Sequence, residues 1–244
     1  MGRVIAIACA AEGADLTIVD MNFEAAQTTR DEIIAAGGNA IALQGNVTKR
    51  AEVAAAVASA VENFGKLDVL FNIAGIIKPS HFLDTTEENF MNTIEVNALG
   101  TLICQQESAK QMIKQGRGGK LVLVSSIAGR QGYPDFSAYC ASKFGVNALN
   151  QSAAHALAEH NITSNAFAPG VVDTPLWKKL DLDLVEIGSS EKPGDAFGAF
   201  AGANLVGRTG VAQDVIGTAL FLASSDSDYM TGQIIMIDGG MVLV

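Results

Sequence analysis

Tyr139 and Lys143 stand four residues apart in Tyr139-Cys140-Ala141-Ser142-Lys143. On a helix that spacing puts both side chains on one face. An ammonium beside a phenol stabilises the phenolate and draws its pKa down from about 10. Such a pair can exchange a proton with an alcohol or carbonyl oxygen. A Tyr-x-x-x-Lys spacing alone occurs by chance in many helices, so its weight depends on the polar residues around it.

Those residues fall in an ordered series. Ser126 follows the apolar run Leu121-Val122-Leu123-Val124-Ser125 and precedes Tyr139 by 13 positions. Asn72-Ile73-Ala74-Gly75 closes a second apolar run, and Pro169-Gly170 closes a third, followed by Val171-Val172-Asp173-Thr174. Asn97 lies within a long helical pattern. Open α/β sheets bind ligands at the ends of their strands, where most of these groups are expected.

The elements that must position them alternate. Strands are expected at Leu16–Asp20, Ala40–Gln44, Leu67–Asn72, Lys120–Ser125, Thr163–Ala168 and Gln233–Ile237. Several are nearly continuous hydrophobics, as strands buried on both faces should be. Helices are expected over 2–12, 23–36, 49–64, 86–115, 137–160 and 211–224. The alternation implies a Rossmann-like, doubly wound parallel sheet in a three-layer α/β/α arrangement. No linker, repeat or low-complexity segment divides residues 1–244, which read as one domain. Residues 174–209, with Pro175 and Pro193 and many Gly and Ser, read as an excursion over one end of the sheet, the habit of a lid.

Asp20 ends the first expected strand. In dinucleotide folds a carboxylate there accepts the adenosine ribose hydroxyls, and it repels the extra phosphate of NADP, which favours NAD. The simpler alternative is a strand-end Asp that caps the next helix. The glycine-rich turn that should precede is represented by Gly2 alone, directly ahead of the first helix.

Taken together, Asn72-Ile73-Ala74-Gly75, Asn97, Ser126, Tyr139/Lys143 and Pro169-Gly170 resemble the short-chain dehydrogenase/reductase family, and the likeness runs to Ile237-Asp238-Gly239-Gly240. The resemblance implies hydride transfer between a nicotinamide and a secondary alcohol or ketone. It assigns Tyr139 as acid/base, Ser126 to the substrate oxygen, Lys143 to the phenol and the nicotinamide ribose, and Asn97 to a relay water. Asn72, Ala74 and Gly75 would line the cofactor trough, and Asn46-Val47 would meet the adenine. Pro169, Gly170, Val172 and Thr174 would border the nicotinamide amide. The family usually carries Asp at position 46 and Asn at position 73, where this chain has Asn46 and Ile73.

Residues 174–181, Lys192-Pro193, Gly207-Arg208 and Tyr229-Met230-Thr231-Gly232-Gln233 resemble acetoin/2,3-butanediol and bacterial polyol (sorbitol, galactitol) dehydrogenases. Many of these carry Gln directly after the catalytic Ser; this chain has Ile127. With Tyr133, Pro134 and Phe136 nearby, the pocket is expected to be more apolar and less selective for polyols. Trp177 either shapes that pocket or anchors the lid. Small diols, hydroxyketones and polyols come first as substrates, then larger apolar alcohols or ketones.

Composition removes other classes. The chain has 244 residues, 49% hydrophobic, with a net charge of −10 and no long Lys/Arg run, so no nucleic-acid partner is expected. Cys9, Cys104 and Cys140 and the three histidines are scattered, matching neither a disulfide framework nor a metal site. No run is long enough to span a bilayer, and the apolar start is too short for an export signal, which points to the cytoplasm. A further expectation concerns the start: the family's central first strand and glycine turn, about 15–20 residues, are not in the sequence, so Met1 reads as an internal residue. The alternative reading is a non-catalytic module unable to bind cofactor by itself. The family also implies a homotetramer through helices 86–115 and 137–160.

Overall fold

The protein is described by a computed structural model covering residues 1–202 and 204–243. In chain order the main elements are α1 (Gly2–Ala11), β1 (Leu16–Asp20), α2 (Phe23–Ala35), β2 (Ala40–Gln44), α3 (Arg50–Phe64) and β3 (Val69–Asn72). There follow α4 (Glu87–Ile94), α5 (Gly100–Gln115), β4 (Gly119–Val124), α6 (Ser137–Leu157), β5 (Ile162–Pro169) and β6 (Val172–Asp173). The chain ends with α7 (Pro175–Glu186), α8 (Asp195–Gly202), β7 (Gly210–Val211), α9 (Ile216–Ala223) and β8 (Ile234–Ile237).

All strand pairs are parallel. β3, β4, β5 and β8 form one sheet in that order, and β1 pairs with β2 separately. The central ladder runs from Gly119 opposite Ile162 to Val124 opposite Phe167. Both its strands are buried on either face, which explains their unbroken hydrophobic composition. On one face Ile5 and Cys9 of α1 and Ala219 and Leu222 of α9 pack on Val122, Val124 and Phe167. On the other, Met112 of α5 packs on Leu121 and Ile162, and Val146 of α6 on Leu123 and Ala166. The sheet is split between β1 and β3. There α1 bridges the two parts, with Met1 and Val4 sharing a cluster with Leu16, Val69 and Phe71.

Two expected helices are interrupted. The 86–115 segment contains a π-helical turn at Glu95–Leu99 between α4 and α5. The extra residue in such a turn re-aims a side chain, here that of Asn97. Gly100 permits the close approach that follows: a Cβ there would stand 2.7 Å from Val47 Cγ2. The 211–224 segment opens as a 3-10 turn, Ala212–Val215, before α9 begins.

The 174–209 excursion is helical for much of its length. At its base β6 pairs with β7, Val172 opposite Gly210 and Asp173 opposite Val211. Buried Asp181 of α7 accepts from the N–H groups of Gly194 and Phe197 and so fixes the start of α8. That carboxylate stabilises the helix N-terminus it faces.

Candidate active site

Ser126 leaves the end of β4 with an extended backbone, and its Oγ accepts from the Ala128 N–H at 3.1 Å. The turn behind it is held by side chains. Ser125 Oγ donates to Asn147 Oδ1 at 2.6 Å, and Asn147 Nδ2 donates to the Gly129 carbonyl at 2.9 Å. A Cβ on Gly129 would meet Ser125 Oγ at 2.7 Å, so only glycine fits this turn. Asn147 lies one turn beyond Lys143 on α6, so a single helix face carries Tyr139, Lys143 and Asn147.

The Ser126 hydroxyl acts on the Tyr139 phenol in the sense that favours its phenolate. Lys143 Nζ lies over the Tyr139 ring, 5.5 Å from its centre, and donates to the Val124 carbonyl at 2.9 Å. The expected triad is drawn from the end of β4 and the first turns of α6. Its electrostatics differ from the sequence expectation. Burial pushes the Tyr139 phenol up to about 12, against the opposing pull of the Ser126 hydroxyl. Burial likewise pushes the Lys143 ammonium down to about 8. Desolvation disfavours the charged form of both groups.

Asn97 is buried, and its side chain clamps the loop after β3. Oδ1 accepts from the Ile76 N–H at 2.8 Å, while Nδ2 donates to the Ile76 carbonyl and to Ser142 Oγ, each at 2.9 Å. Ser142 Oγ in turn donates to the Tyr139 carbonyl at 2.7 Å. The side chain thus ties the β3 loop to α6. The Asn97 carbonyl accepts from Thr101 Oγ1 at 2.6 Å.

The dinucleotide positions gather at the same end of the sheet. A Cβ on Gly75 would lie 3.2 Å from Asn97 Oδ1 and 3.7 Å from Lys143 Nζ, so glycine lets the backbone run beside the ammonium. Among the described residues Lys143 makes one hydrogen bond, which leaves donors for ribose hydroxyls. Gly2, in the first turn of α1, approaches the Ile73 side chain beyond β3. Asp20 stands exposed at the end of β1, where Oδ1 accepts from the Asn22 N–H at 2.8 Å. The side chain that caps α2 is Asn22, which accepts from Ala25, so the capping alternative for Asp20 does not hold. These donors and the strand-end carboxylate fit a nicotinamide dinucleotide.

Other expected contacts have mixed surroundings. Asn72 ties β3 to α5, its Nδ2 donating to Thr101 Oγ1 at 2.8 Å. Asn46 accepts from the N–H and hydroxyl of Thr48, both at 3.0 Å. The Gly170 N–H donates to the Ile237 carbonyl at 3.1 Å, and a Cβ there would lie 2.9 Å from Asp238. Pro169 pairs with Ile237 at the strand end, Val172 is buried in β6, and Thr174 precedes α7 as its N-cap.

Beyond Tyr139 lies an aromatic wall. Trp177 meets Phe197 and Phe200 edge-on at 5.8 and 5.5 Å between ring centres, and Tyr133 meets Phe200 at 6.3 Å. Leu180, Leu184 and Ala128 complete a cluster that includes the Tyr139 side chain. Trp177 therefore anchors the α7–α8 pair and packs in the same cluster as Tyr139. Ile127 is buried in the 3-10 turn after Ser126.

Ser142 and Asn147 escape a motif-based reading. One signal could have found them: polar residues recurring at helical spacing on an otherwise apolar helix. Ser142, Lys143, Asn147 and Asn150 all lie on the buried side of α6.

Residues 1–242 match a family model described as enoyl-(acyl carrier protein) reductase. A diacetyl reductase, (S)-acetoin forming, of Staphylococcus epidermidis is 38% identical over 242 residues, covering 99% of this chain and 94% of the relative. An L-2,3-butanediol dehydrogenase of Corynebacterium glutamicum is 38% identical over 245 residues, with the same coverage of 99% and 94%. Among solved structures, an NAD+-bound xylitol dehydrogenase superposes with a TM-score of 0.93 at 32% identity, covering 98% of this chain and 94% of its own.

Proposed function

Since this chain belongs to the short-chain dehydrogenase/reductase family, we propose that it interconverts a small diol or hydroxyketone with its oxidised partner, using NAD(H). The observation that carries this reading is Lys143 held over the Tyr139 ring and tied to the Val124 carbonyl, two residues before Ser126. Substrate preference follows the resemblance to acetoin and butanediol enzymes and the apolar cluster of Tyr133, Phe136 and Trp177 packed with Tyr139.

In the oxidising direction Tyr139, as phenolate, takes the proton of the substrate hydroxyl, and in the reducing direction it returns one. Ser126 donates to the same oxygen and holds it as charge develops. Lys143 stabilises the phenolate and offers its remaining donors to the nicotinamide ribose. Asn97 and Ser142 position the helix that carries both groups. A bound nicotinamide supplies the hydride acceptor or donor. Asp20 would receive the adenosine ribose hydroxyls and disfavour a phosphate there. Gly2, Asn46, Val47, Asn72, Ala74 and Gly75 would line the trough, with Pro169, Gly170, Val172 and Thr174 at its nicotinamide end. The 174–209 excursion serves as the lid of a single domain and excludes water from the reaction.

The exposed Phe90, Met91, Leu99, Ile113 and Phe144 on α4 to α6 support association into a homotetramer. Unpaired Cys9, Cys104 and Cys140 support residence in a reducing cytoplasm. Catalysis is favoured over a non-catalytic module by Lys143 held over the Tyr139 ring. The test is an NAD-coupled panel of diols, polyols and hydroxyketones on the protein and its Tyr139→Phe variant. Turnover reduced at least about a hundredfold by the substitution is expected; turnover near the original level would overturn the mechanism.

A further inference from the structure

His81 sits just after the β3 loop, outside the reactive triad, and touches two elements that flank the substrate approach. Its Nδ1 lies 2.8 Å from Asp135 Oδ1, and its Nε2 lies 2.8 Å from the carbonyl of Ile187, the residue that ends α7. Asp135 is itself fixed. Its backbone takes the left-handed conformation, φ 55°, its carbonyl accepts from the Ser80 N–H at 2.9 Å, and its Oδ2 accepts from Ser189 Oγ at 2.8 Å. Asp135 lies beside Tyr133 and Phe136 in the segment leading into α6, and Ile187 packs on the Tyr139–Trp177 cluster. One imidazole therefore joins the β3 loop, the approach to the catalytic helix and the far end of the lid.

The chemistry of this junction depends on a proton. A neutral imidazole carries a single N–H and presents a lone pair at the other nitrogen. A carboxylate and a carbonyl are both acceptors, so only the imidazolium satisfies both contacts. The neutral ring keeps one bond and sets a lone pair against the other acceptor.

We propose that His81 is a positioning residue whose imidazolium latches the lid, through the Ile187 carbonyl, to Asp135 ahead of the catalytic helix, so that loss of its proton loosens the lid and weakens substrate capture. This rests on the dehydrogenase reading for its kinetic consequence, though not for the latch itself. The charged groups acting on the ring are Asp135, across the junction, and Asp84, on its own 3-10 turn, both acidic. The lid side presents the uncharged Ile187 carbonyl and, to Asp135, the Ser189 hydroxyl. The Asp135 hydrogen bond, with the Ile187 carbonyl second, raises the His81 pKa above its ordinary 6.5. The latch is therefore closed at and below pH 6.5 and opens as pH rises through the raised value.

Two measurements test it on the whole protein. In the first, KM and kcat for the best substrate of the panel are followed from pH 6 to 9 in wild type, His81→Ala and His81→Gln. Wild-type KM should rise about three- to tenfold toward alkaline pH, whereas both variants should show the high value throughout, with kcat within about twofold of wild type. A variant KM equal to wild type at pH 6 would overturn the proposal. The second needs no substrate: hydrogen exchange of residues 184–200, corrected for intrinsic rate, at pH 6 and 8. Wild type should be better protected at pH 6, and His81→Gln should show the lower protection at both values. Identical exchange in wild type and His81→Gln would reject the latch even if no substrate is found; a panel without turnover, with the exchange difference intact, would reject the dehydrogenase reading alone.

Discussion

Lys143 Nζ lies 5.5 Å from the centre of the Tyr139 ring, and both groups are held in surroundings that favour their uncharged forms. The ammonium is buried with the Val124 carbonyl as its hydrogen-bond acceptor, at 2.9 Å. The reactive centre thus stores an electrostatic cost that a purely structural core would not carry.

Lys143→Met should accordingly raise stability while abolishing turnover. Near pH 7 the gain is expected at about 1–3 kcal/mol, read as an increase in Tm. The gain fades as pH rises. The folded-state pKa of Lys143, about 8, lies below its ordinary 10.5, so the unfolded chain binds the extra proton between these values and wild-type stability rises there. The difference between variant and wild type should shrink from pH 8 to 10.5; a constant difference in chemical denaturation would contradict this assignment.

Tyr139 contributes in the opposite sense. Its folded-state pKa of about 12 exceeds the ordinary 10, so its contribution to stability is complete below pH 10 and is lost as pH climbs toward 12. Tyr139→Phe should remove that alkaline loss. Comparing urea midpoints of the two proteins at pH 9 and 11 checks it.

Ser126→Ala removes the hydroxyl that opposes the upward shift of the phenol. We expect kcat to fall about a hundredfold and the alkaline limb of the pH–rate profile to move to higher pH. A lowered kcat with an unmoved limb would confine Ser126 to holding the substrate oxygen.

Asn97→Ala deletes three side-chain hydrogen bonds, two to Ile76 and one to Ser142. The two stranded Ile76 peptide groups make this costly, about 2–4 kcal/mol. Thermal unfolding should show the loss, and residual turnover should fall below that of an equally destabilised variant remote from α6.

Asp20→Ser removes the exposed carboxylate at the end of β1. The ratio of kcat/KM for NAD over NADP should drop at least about tenfold, the effect of removing one charge repulsion of about 1.4 kcal/mol. An unchanged ratio would place cofactor choice elsewhere.

Much of this centre was legible because it is local or periodic. Tyr139 and Lys143 share a helix face by spacing alone, and the runs Leu121–Val124 and Thr163–Ala168 declare strands buried on both sides. The chain order of Asn97, Ser126 and Tyr139/Lys143 was enough to bring the family and its chemistry into view. What the tertiary structure decided was every property that depends on groups distant in sequence. The π-helical turn aims Asn97 at Ile76, 21 positions away, and His81 finds Ile187 across 106 positions; no spacing rule announces either contact. The burial that disfavours charge on the central pair was decided there too. That a phenol and an ammonium share a helix face can be anticipated from their spacing, but the desolvation acting on both depends on how completely the rest of the chain closes around them.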